Sequence, residues 1–353
     1  MTAADWLDAM SPWPRDGFGL ERMRALLIEL GNPQDTYPAI HVVGTNGKST
    51  ATITIEQLLL SERLAVGSTI SPHVAGWGER IRINGEEADF EESVARIRQS
   101  AEQLEATQFE IVTAAALVAF ANAHVDVAVV EAGLGGRHDA TNVLRTRVVL
   151  LTNVGLEHTD VLGDTLEAIA TEKLAVTRDD TIVVLPDDAY AHLVPGREIR
   201  IGSAREAAEA FVGHAIAASP AVSLPGRFER RDGEIRDGAH NPDGARHLVE
   251  QLDRDDYTVV ASILADKDVD AMLRTLARAG RRLVATTSSS ARALAALDLA
   301  KLADGHFDHV EVVDDPVAAV ARAHALGEPV LVTGSLYLLG DLAQAEQRAS
   351  WRG

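Results

Sequence analysis

The chain contains no cysteine among its 353 residues. Disulfide bonds, thiolate metal sites and a cysteine nucleophile are therefore excluded. Long apolar runs are also missing, and a membrane-spanning helix needs about 20 consecutive, mainly apolar residues. The most apolar region, residues 111–130, is interrupted by Thr113, Asn122, His124 and Asp126. The N-terminal residues include Asp5 and Asp8 in place of a basic leader, so we expect a cytoplasmic protein without a signal peptide.

Positive charge is scarce, with 33 basic against 53 acidic residues and a net charge of −20. Nucleic acid is a poor partner for such a surface. Lysine is scarcer still, because Lys48, Lys173, Lys267 and Lys301 are the only four. A lysine kept in an arginine-rich chain is a candidate for chemistry that a guanidinium cannot perform, such as compact phosphate binding or amine reactivity. Lys301, in an amphipathic segment, is better explained as a surface residue.

A phosphate-binding loop is predicted near the N-terminus. The apolar run 39–43 is followed by Gly44-Thr45-Asn46-Gly47-Lys48-Ser49-Thr50. Two glycines let backbone N–H groups converge on an anion, and a helix starting near Lys48 adds its positive dipole end. Lys48 can reach the outer phosphates, and Ser49 or Thr50 can face Mg²⁺. The loop is two residues shorter than the general Walker loop, but an ordinary turn would not explain Lys48.

Apolar strand-like runs alternate with helical patterns along most of the chain. This alternation predicts an α/β fold with a mostly parallel sheet and right-handed crossovers. The predicted strands are 125–131, 147–154, 181–185, 257–263, 282–286, 309–313 and 329–333. The predicted helices are 90–105, 110–123, 165–176, 268–279, 316–326 and 336–348. A segment rich in proline and glycine, 219–227, predicts a linker between a domain over 1–222 and a smaller one over 223–353.

Polar residues follow several predicted strands, and the carboxyl ends of parallel strands are where open α/β sheets bind ligands. Ser71, Glu131 and His158 supply a hydroxyl, a carboxylate and an imidazole that could hold Mg²⁺. The glycines of 133–136 also suggest a dinucleotide loop, but His138 stands where that fingerprint needs Gly or Ala.

Lys173 is unusual on a helix that faces a metal, because its ammonium would repel the cation. It either points to solvent, is chemically altered, or pairs with phosphate. Beyond the linker, Arg227 offers a fork for phosphate. Asp237 and His240 lie at a predicted strand end, and Ser335 follows the last strand.

Taken together, the motifs resemble those of the folylpolyglutamate synthase/dihydrofolate synthase family, a branch of the Mur ligase superfamily. The resemblance spans nearly the whole chain. The supporting segments are 44–48, 71–73 with 79–81, 131–137 with 139–142, 158–159 with 162–163, 172–173, 225–228, 237–242, 266–268 and 334–337. It implies a domain with a phosphate loop and a mostly parallel sheet, carrying the ATP and pterin sites, followed by a smaller Rossmann-like α/β glutamate ligase domain.

The resemblance implies an ATP-dependent ligase that phosphorylates a substrate carboxylate and joins it to L-glutamate. It implies ATP contacts from residues 44–50, Arg227 and Asp237. It implies two Mg²⁺ sites formed by Ser71, Glu131, His158 and Lys173, with Lys173 carbamylated. It implies catalytic roles for Lys48, Lys173, His158 and His240, and glutamate contacts from His240 and Ser335.

Some positions depart from the family pattern. Ser49 replaces the usual Gly, Glu157 replaces the usual Asp, and the segment 186–225 is short, with 204–214 as a reduced version of the helix that helps to bind adenine in relatives. Three hypotheses stay open: glutamate ligation to dihydropteroate, tetrahydrofolate or both, ligation to a different carboxylate, or a non-catalytic nucleotide-binding regulator. We expect a monomer that binds small molecules and neither nucleic acid nor membrane.

Overall fold

The computed structural model describes residues 1–11, 17 and 19–350. The chain forms two compact units. Unit 1 comprises Met1–His73 and Trp77–Val222, and unit 2 comprises Val74–Gly76 and Ser223–Gly353. The ATP, pterin and glutamate ligase roles assigned to residues 1–222 and 223–353 stay predictions at this level.

Unit 1 contains eight strands and nine α-helices within its described residues. The strands are β1 (Ala39–Val43), β2 (Val66–Thr69), β3 (Arg82–Ile83), β4 (Glu86–Glu87), β5 (Val127–Glu131), β6 (Thr146–Leu151), β7 (Ile182–Leu185) and β8 (Glu198–Ile201). The helices are α1 (Ala3–Asp8), α2 (Glu21–Glu29), α3 (Lys48–Ser61), α4 (Phe90–Ala95), α5 (Arg98–Gln103), α6 (Gln108–Asn122), α7 (Thr159–Leu162), α8 (Leu166–Leu174) and α9 (Ala204–Val212). Short 3₁₀ turns occur at Pro33–Asp35, Trp77–Arg80 and Ala191–Leu193.

The sheet of unit 1 has the strand order β4-β3-β2-β5-β1-β6-β7-β8. The six strands β2, β5, β1, β6, β7 and β8 pair in parallel. Strands β3 and β4 add an antiparallel edge beside β2. Every residue of β1 is buried, as expected for a central parallel strand covered on both faces. Ile40 and Val42 pack with α3 and α9 on one face, and Ala39 packs with α6 on the other.

Helix α6 shows how local sequence and burial cooperate. Its N-cap is Thr107, whose side chain accepts from Glu110 N while Glu110 accepts from Thr107 N. This reciprocal capping box satisfies donors that a helix leaves unpaired at its start. Most of the helix is apolar on all sides, and residues 110–117 are all buried. Such a helix must lie in the interior of the unit.

Unit 2 has a second, smaller sheet covered by helices. Its strands are β9 (Glu229–Arg231), β10 (Glu234–Arg236), β11 (Thr258–Ala261), β12 (Arg282–Ala285), β13 (His309–Val312) and β14 (Val330–Thr333). Its helices are α10 (Pro242–Gln251), α11 (Val269–Leu276), α12 (Ala296–Ala303), α13 (Pro316–Leu326) and α14 (Leu336–Ser350). The order β13-β12-β11-β14-β10-β9 is parallel except for the β9–β10 pair.

The predicted mostly parallel α/β fold is confirmed, with corrections to single elements. The helix predicted over 90–105 is two helices, because Ile97 N bonds to Val94 O, three residues back, and tightens the chain there. Val94, Ile97 and Ala101 all stay buried across the break, so their spacing could not reveal it. The strand predicted over 147–154 ends at Leu151, and the short strand β8 is not predicted.

None of the helices within residues 1–11, 17 and 19–350 has the length and apolar character needed to span a bilayer.

Candidate active site

The strand order of unit 1 gathers the predicted ligand-binding residues at one edge of its sheet. In the register, Thr69 of β2 lies beside Val130, Glu131 of β5 lies beside Val42, and Val43 of β1 lies beside Leu151. The strands are parallel, so the segments that follow them emerge at the same edge. The phosphate loop, Ser71 and Glu131 are therefore brought to a common edge by topology rather than by proximity in sequence.

The phosphate loop has the geometry of an anion site. Gly47 is the N-cap of α3 in a left-handed conformation, with φ of 78°, and no side chain caps the helix. The N–H groups of the first turn of an α-helix have no partner within the helix, and they carry the positive end of its dipole. Lys48 begins α3, and its Nζ donates to Thr45 O at 3.3 Å. The arrangement suits a phosphate group.

The segment after β6 holds the phosphate loop in place. Asn153 accepts from Thr45 N through its backbone oxygen at 3.1 Å and from Asn46 N through its side chain at 2.8 Å. Thr152 Oγ1 donates to Asn46 O at 2.7 Å. A Cβ on Gly44, whose φ is +150°, would lie 1.9 Å from Thr152 Oγ1. The loop is thus supported from residues 152 and 153, and sequence reasoning missed this support because the partners are more than 100 residues apart.

Lys173 is a buried lysine of unit 1, with only 2% of its surface exposed. Its Nζ donates to Gly44 O at 2.9 Å and to Leu134 O at 3.4 Å. Burial, with a further contribution from the charge of Lys48, lowers the pKa of Lys173 to about 7, although nearby carboxylates oppose the shift. The possibility that Lys173 points to solvent is therefore wrong. Gly44, the first residue of the phosphate loop, supplies one of its acceptors.

The glycine-rich segment 133–136 lies directly against the end of α8. A Cβ on Gly136 would lie 2.3 Å from Glu172 O and 2.6 Å from Lys173 O. Glu172 also accepts from Arg137 N at 2.9 Å and from Arg137 Nε at 3.2 Å. A glycine is required here by the close approach of two backbones, and the close approach brings Leu134 O to Lys173.

Asp139 folds this segment into a closed turn. Its Oδ2 accepts from Leu134 N at 2.9 Å, and its Oδ1 accepts from Thr141 N at 3.0 Å and from Thr141 Oγ1. Thr141 in turn contacts His41 Nε2 at 2.8 Å. All three side chains are buried. The motif 139–142 contributed to the family resemblance, but no role followed for its residues from the sequence.

The predicted metal ligands are only partly brought together by the contacts of unit 1. Glu131, 3% exposed, accepts from Ser71 N at 2.9 Å. His158 is the N-cap of α7, and its Nε2 lies 3.7 Å from Glu157 Oε1. No cluster of three or more His, Asp or Glu side chains suited to a metal occurs in the part of the chain that the structure describes. Mg²⁺ commonly takes one or two carboxylates and completes its shell with phosphates and water, so Glu131 beside a phosphate loop fits that metal.

Arg80 is a further charged residue at this edge. Its Nε donates to His73 Nδ1 at 2.8 Å, and its guanidinium lies 4.5 Å from the centre of the Trp77 ring. Burial lowers the pKa of Arg80 to about 10, while the carboxylates of Glu131, Glu79 and Asp8 oppose this. Among the described residues it forms no ion pair, so part of its guanidinium fork is unused. The sequence marked Arg80 within a motif without assigning it a role.

In unit 2, Asp237 follows β10 and folds a second loop. Its carboxylate accepts from Phe228 N and from Ala239 N, each at 2.8 Å. Burial raises the pKa of Asp237, and these hydrogen bonds and the charge of Arg227 oppose the rise. A Cβ on Gly238 would lie 3.0 Å from Arg227 Nη1, which places the guanidinium over this loop. The Arg227 side chain has no hydrogen bond or ion pair within residues 19–350.

His240 and Ser335 also lie at strand ends of unit 2. His240 Nδ1 bonds to Gly238 O at 2.8 Å, which requires the proton on Nδ1 and leaves Nε2 as the second polar atom. Ser335 is 1% exposed, and its Oγ accepts from Tyr337 N at 3.1 Å. Their predicted contacts with glutamate stay predictions.

Helix α9 occupies the place of the predicted adenine helix. Arg205 donates to Ile216 O and Ala218 O, each at 2.7 Å, and Arg200 Nη1 donates to Glu206 Oε1 at 3.3 Å. Arg205 and Glu206, which lie in the first turn of this helix, therefore both have partners within unit 1.

Comparison with known proteins gives the class of this architecture. The Mur ligase middle domain matches residues 42–210, and the Mur ligase glutamate ligase domain matches residues 226–336. These two domains, in this order, define a Mur ligase.

The relatives are more specific. The dihydrofolate synthase/folylpolyglutamate synthase of Mycobacterium tuberculosis is 31% identical, covering 91% of this chain and 85% of the relative. E. coli FolC in complex with DHPP and ADP has a TM-score of 0.88 at 25% identity, covering 100% of this chain and 98% of that one. The Yersinia pestis folylpolyglutamate synthase/dihydrofolate synthase complexed with AMPPNP and Mn has a TM-score of 0.84 at 28% identity, covering 98% of each chain. This chain belongs to the folylpolyglutamate synthase/dihydrofolate synthase family.

The predicted family is thus confirmed. The alignment with the M. tuberculosis relative runs over 415 positions, more than the 353 residues of this chain, so this chain has gaps inside the aligned region. Their assignment to the segment 186–225 stays a prediction.

Proposed function

We propose that the chain is an ATP-dependent ligase that joins L-glutamate to the carboxylate of dihydropteroate, tetrahydrofolate or both, through an acyl phosphate. The observation that carries the proposal is the hydrogen bond from the buried Lys173 amine to Gly44 O, the first carbonyl of the phosphate loop. A protein that only binds nucleotide has no need of a buried amine at that point. Names of relatives at 31% identity and the ADP, DHPP and Mn in solved relatives support the reaction class.

Lys173 is prepared for carbamylation. Its lowered pKa of about 7 leaves a large neutral fraction near neutral pH, and only the neutral amine reacts with CO₂. A neutral amine has two hydrogens and one lone pair, and the two carbonyl acceptors can take both hydrogens. The lone pair then forms the N–C bond, one C=O bond of CO₂ becomes C–O⁻, and one N–H proton passes to solvent water. The product is a carboxylate where an ammonium would repel a metal.

Ser71, Glu131, His158 and the modified Lys173 are the residues we propose for two Mg²⁺ sites. Bound Mg²⁺ supplies charge neutralisation between ATP and the substrate carboxylate. Lys48 holds phosphate by its positive charge, and the N–H groups at the start of α3 hold it by hydrogen bonds directed along the helix axis. Arg227 binds phosphate and Asp237 the ribose, while His240 and Ser335 bind glutamate.

Arg80 is the group we propose for a substrate carboxylate. Its guanidinium is largely desolvated, lies over Trp77, and has its Nε fixed by His73. The terminal nitrogens can then donate two parallel hydrogen bonds to a carboxylate, in the paired geometry that a guanidinium favours. A cytoplasmic location and a monomeric state also belong to this proposal.

The test is release of ADP and phosphate by the purified chain with Mg-ATP, L-glutamate and either dihydropteroate or tetrahydrofolate, with mass spectrometry of the products. We expect release that depends on the pterin and a product one glutamate heavier. Lys173→Ala should lower kcat about a thousandfold, equivalent to the several kcal/mol that a bound metal contributes. Lys173→Glu should recover part of this loss by restoring a carboxylate, and Lys301→Ala, at an exposed lysine, should behave as the wild type.

Full activity of Lys173→Ala would remove Lys173 from the mechanism. Absence of turnover with every pterin, despite ATP binding, would favour a ligase for a different carboxylate. If none of the carboxylates tested supports turnover, a non-catalytic nucleotide-binding regulator would be favoured.

A further inference from the structure

His41 is a buried titratable group that the proposed mechanism leaves unused. It lies in β1, three residues before Gly44, and is 0% exposed. Burial lowers its pKa to about 4, so the side chain is neutral at physiological pH. Its Nδ1 has no hydrogen-bond partner among the described residues. A buried acceptor without a partner costs roughly 1–3 kcal/mol, so His41 is a poor choice for stability alone.

The hydrogen-bond chain fixes which nitrogen of His41 carries the proton. Both oxygens of Asp139 already accept from backbone N–H groups, so Thr141 Oγ1 donates its single proton to Asp139 Oδ1. The Thr141 hydroxyl then has only lone pairs for His41, and His41 Nε2 must be the donor across their 2.8 Å contact. The orphaned Nδ1 is the consequence of this tautomer.

The hydrogen-bond chain continues from Asp139 through Leu134 to Lys173. Asp139, the acceptor for Thr141, also accepts from Leu134 N, and Leu134 O accepts from Lys173 Nζ. The second acceptor of Lys173 is Gly44 O, which β1 connects covalently to His41. His41 is therefore connected to the Lys173 amine in two ways. One path follows the backbone from β1 to Gly44 O, and the other runs through Thr141, Asp139 and Leu134 of the glycine-rich segment.

We infer that His41 is a positioning residue for Lys173, since its Nε2–H, acting through Thr141 and Asp139, sets the spacing of the two carbonyls that hold the Lys173 amine. The inference rests on the role proposed above for Lys173. His41 does not contact the reacting atoms. It ties the glycine-rich segment to β1, so that Leu134 O and Gly44 O stay on opposite sides of one amine.

Two substitutions separate positioning from structural support. His41→Gln keeps an N–H donor at the reach of Nε2, whereas His41→Leu keeps the volume and removes both the donor and the orphaned acceptor. His41→Leu should therefore fold with unchanged or higher thermal stability. His214→Leu, at an exposed histidine of unit 1, is the matched control.

The readout is the ¹³C NMR carbamate signal of the full chain with ¹³C-bicarbonate and Mg²⁺, together with steady-state kinetics. We expect His41→Leu to need about tenfold more bicarbonate for half-maximal signal and to lose about tenfold in kcat, with KM for ATP within about twofold. His41→Gln should recover most of both. Thr141→Val should match His41→Leu, and the double variant should be no worse, because both substitutions break one chain.

Wild-type bicarbonate dependence and kcat in His41→Leu would overturn the inference while leaving the proposed function intact. A missing carbamate signal in the wild type would instead count against the proposed function. In that case hydrogen exchange of a peptide covering 133–142 decides. Faster exchange in His41→Leu and wild-type exchange in His41→Gln would support the positioning of this segment by His41, and equal exchange in all three proteins would overturn it.

Discussion

Segment 133–142 of unit 1 and segment 225–240 of unit 2 are folded in the same way, but they lie beside different cations. In each, an aspartate after a parallel strand accepts two backbone N–H groups and folds the chain around a glycine. In unit 1 the aspartate is Asp139, and the fold closes over the Lys173 amine. In unit 2 it is Asp237, and the Arg227 guanidinium stays half-buried.

The difference shows how burial selects the chemistry of a cation. A buried lysine can lose its proton, and the pKa of Lys173 is lowered to about 7. A guanidinium keeps its charge even when desolvated, as the pKa of about 10 for Arg80 illustrates. Unit 1 thus buries an amine that can lose its proton, whereas unit 2 presents a permanent charge of the kind that binds phosphate.

The sharpest way to break the comparison is to fill the glycine of each segment. In Gly136→Ala the new Cβ would meet two backbone oxygens, which cannot rotate away, so we expect a loss of about 3 kcal/mol in the free energy of unfolding. Ligation should fall at least about a hundredfold, because Leu134 O moves from Lys173. Urea unfolding and kcat measure both effects.

Gly238→Ala is the matched variant. Its nearest contact would be Leu336 Cδ2 at 2.2 Å, the end of a flexible side chain that can move. We expect a loss of about 1 kcal/mol and a change mainly in KM for ATP, since Arg227 is displaced. Equal losses in the two variants would show that the segments do not differ in rigidity.

We expect acid to lower the stability of unit 1 more than that of unit 2, with a smaller difference than the glycine substitutions produce. The pKa values of His41 and His73 in unit 1 are lowered to about 4 and about 3, mainly by burial. The unfolded chain takes up protons at these groups below about pH 6.5 while the folded chain does not, so stability falls as pH drops from 6.5 towards 4. At pH 5 His41 alone should cost about 2 kcal/mol.

In unit 2 the sign is reversed for one group. The carboxylates of Glu234 and Glu328 raise the pKa of His324 against partial burial. Its contribution is therefore present below pH 6.5 and lost as pH rises through the folded pKa. Urea unfolding at pH 5.0 and 7.5, with pulse-labelling hydrogen exchange to follow each unit, should show unit 1 weakening more on acidification. A flat pH response in unit 1, or no flattening in His41→Leu, would contradict the assignment.

The smallest expected effect sharpens the role of Arg227. Arg227→Lys should leave the melting temperature unchanged, because the guanidinium has no partner among the described residues to lose. KM for ATP should rise about tenfold, the equivalent of one charge-assisted hydrogen bond. Titration with ATP and thermal unfolding provide the two readouts, and an unchanged KM would remove Arg227 from phosphate binding.

Local sequence predicted the features that depend on near neighbours. Gly44, Gly47 and Lys48 are close in sequence, and their pattern after an apolar run predicts a strand, a loop and a helix, which the structure contains. The scarcity of lysine directed attention to Lys173 without locating its partners. The break between α4 and α5 was not predictable, because the same apolar face remains buried across it.

The sequence by itself determined the α/β class, the phosphate loop and the family, since these follow from periodicity and from motifs that are contiguous in the chain. Only the tertiary structure decided that Lys173 is buried between Gly44 O and Leu134 O, and that His41 reaches it through Thr141 and Asp139. The physical reason is that parallel strands bring distant segments to one sheet edge. Burial and hydrogen bonding among those segments, which no local pattern encodes, then set the protonation of each group.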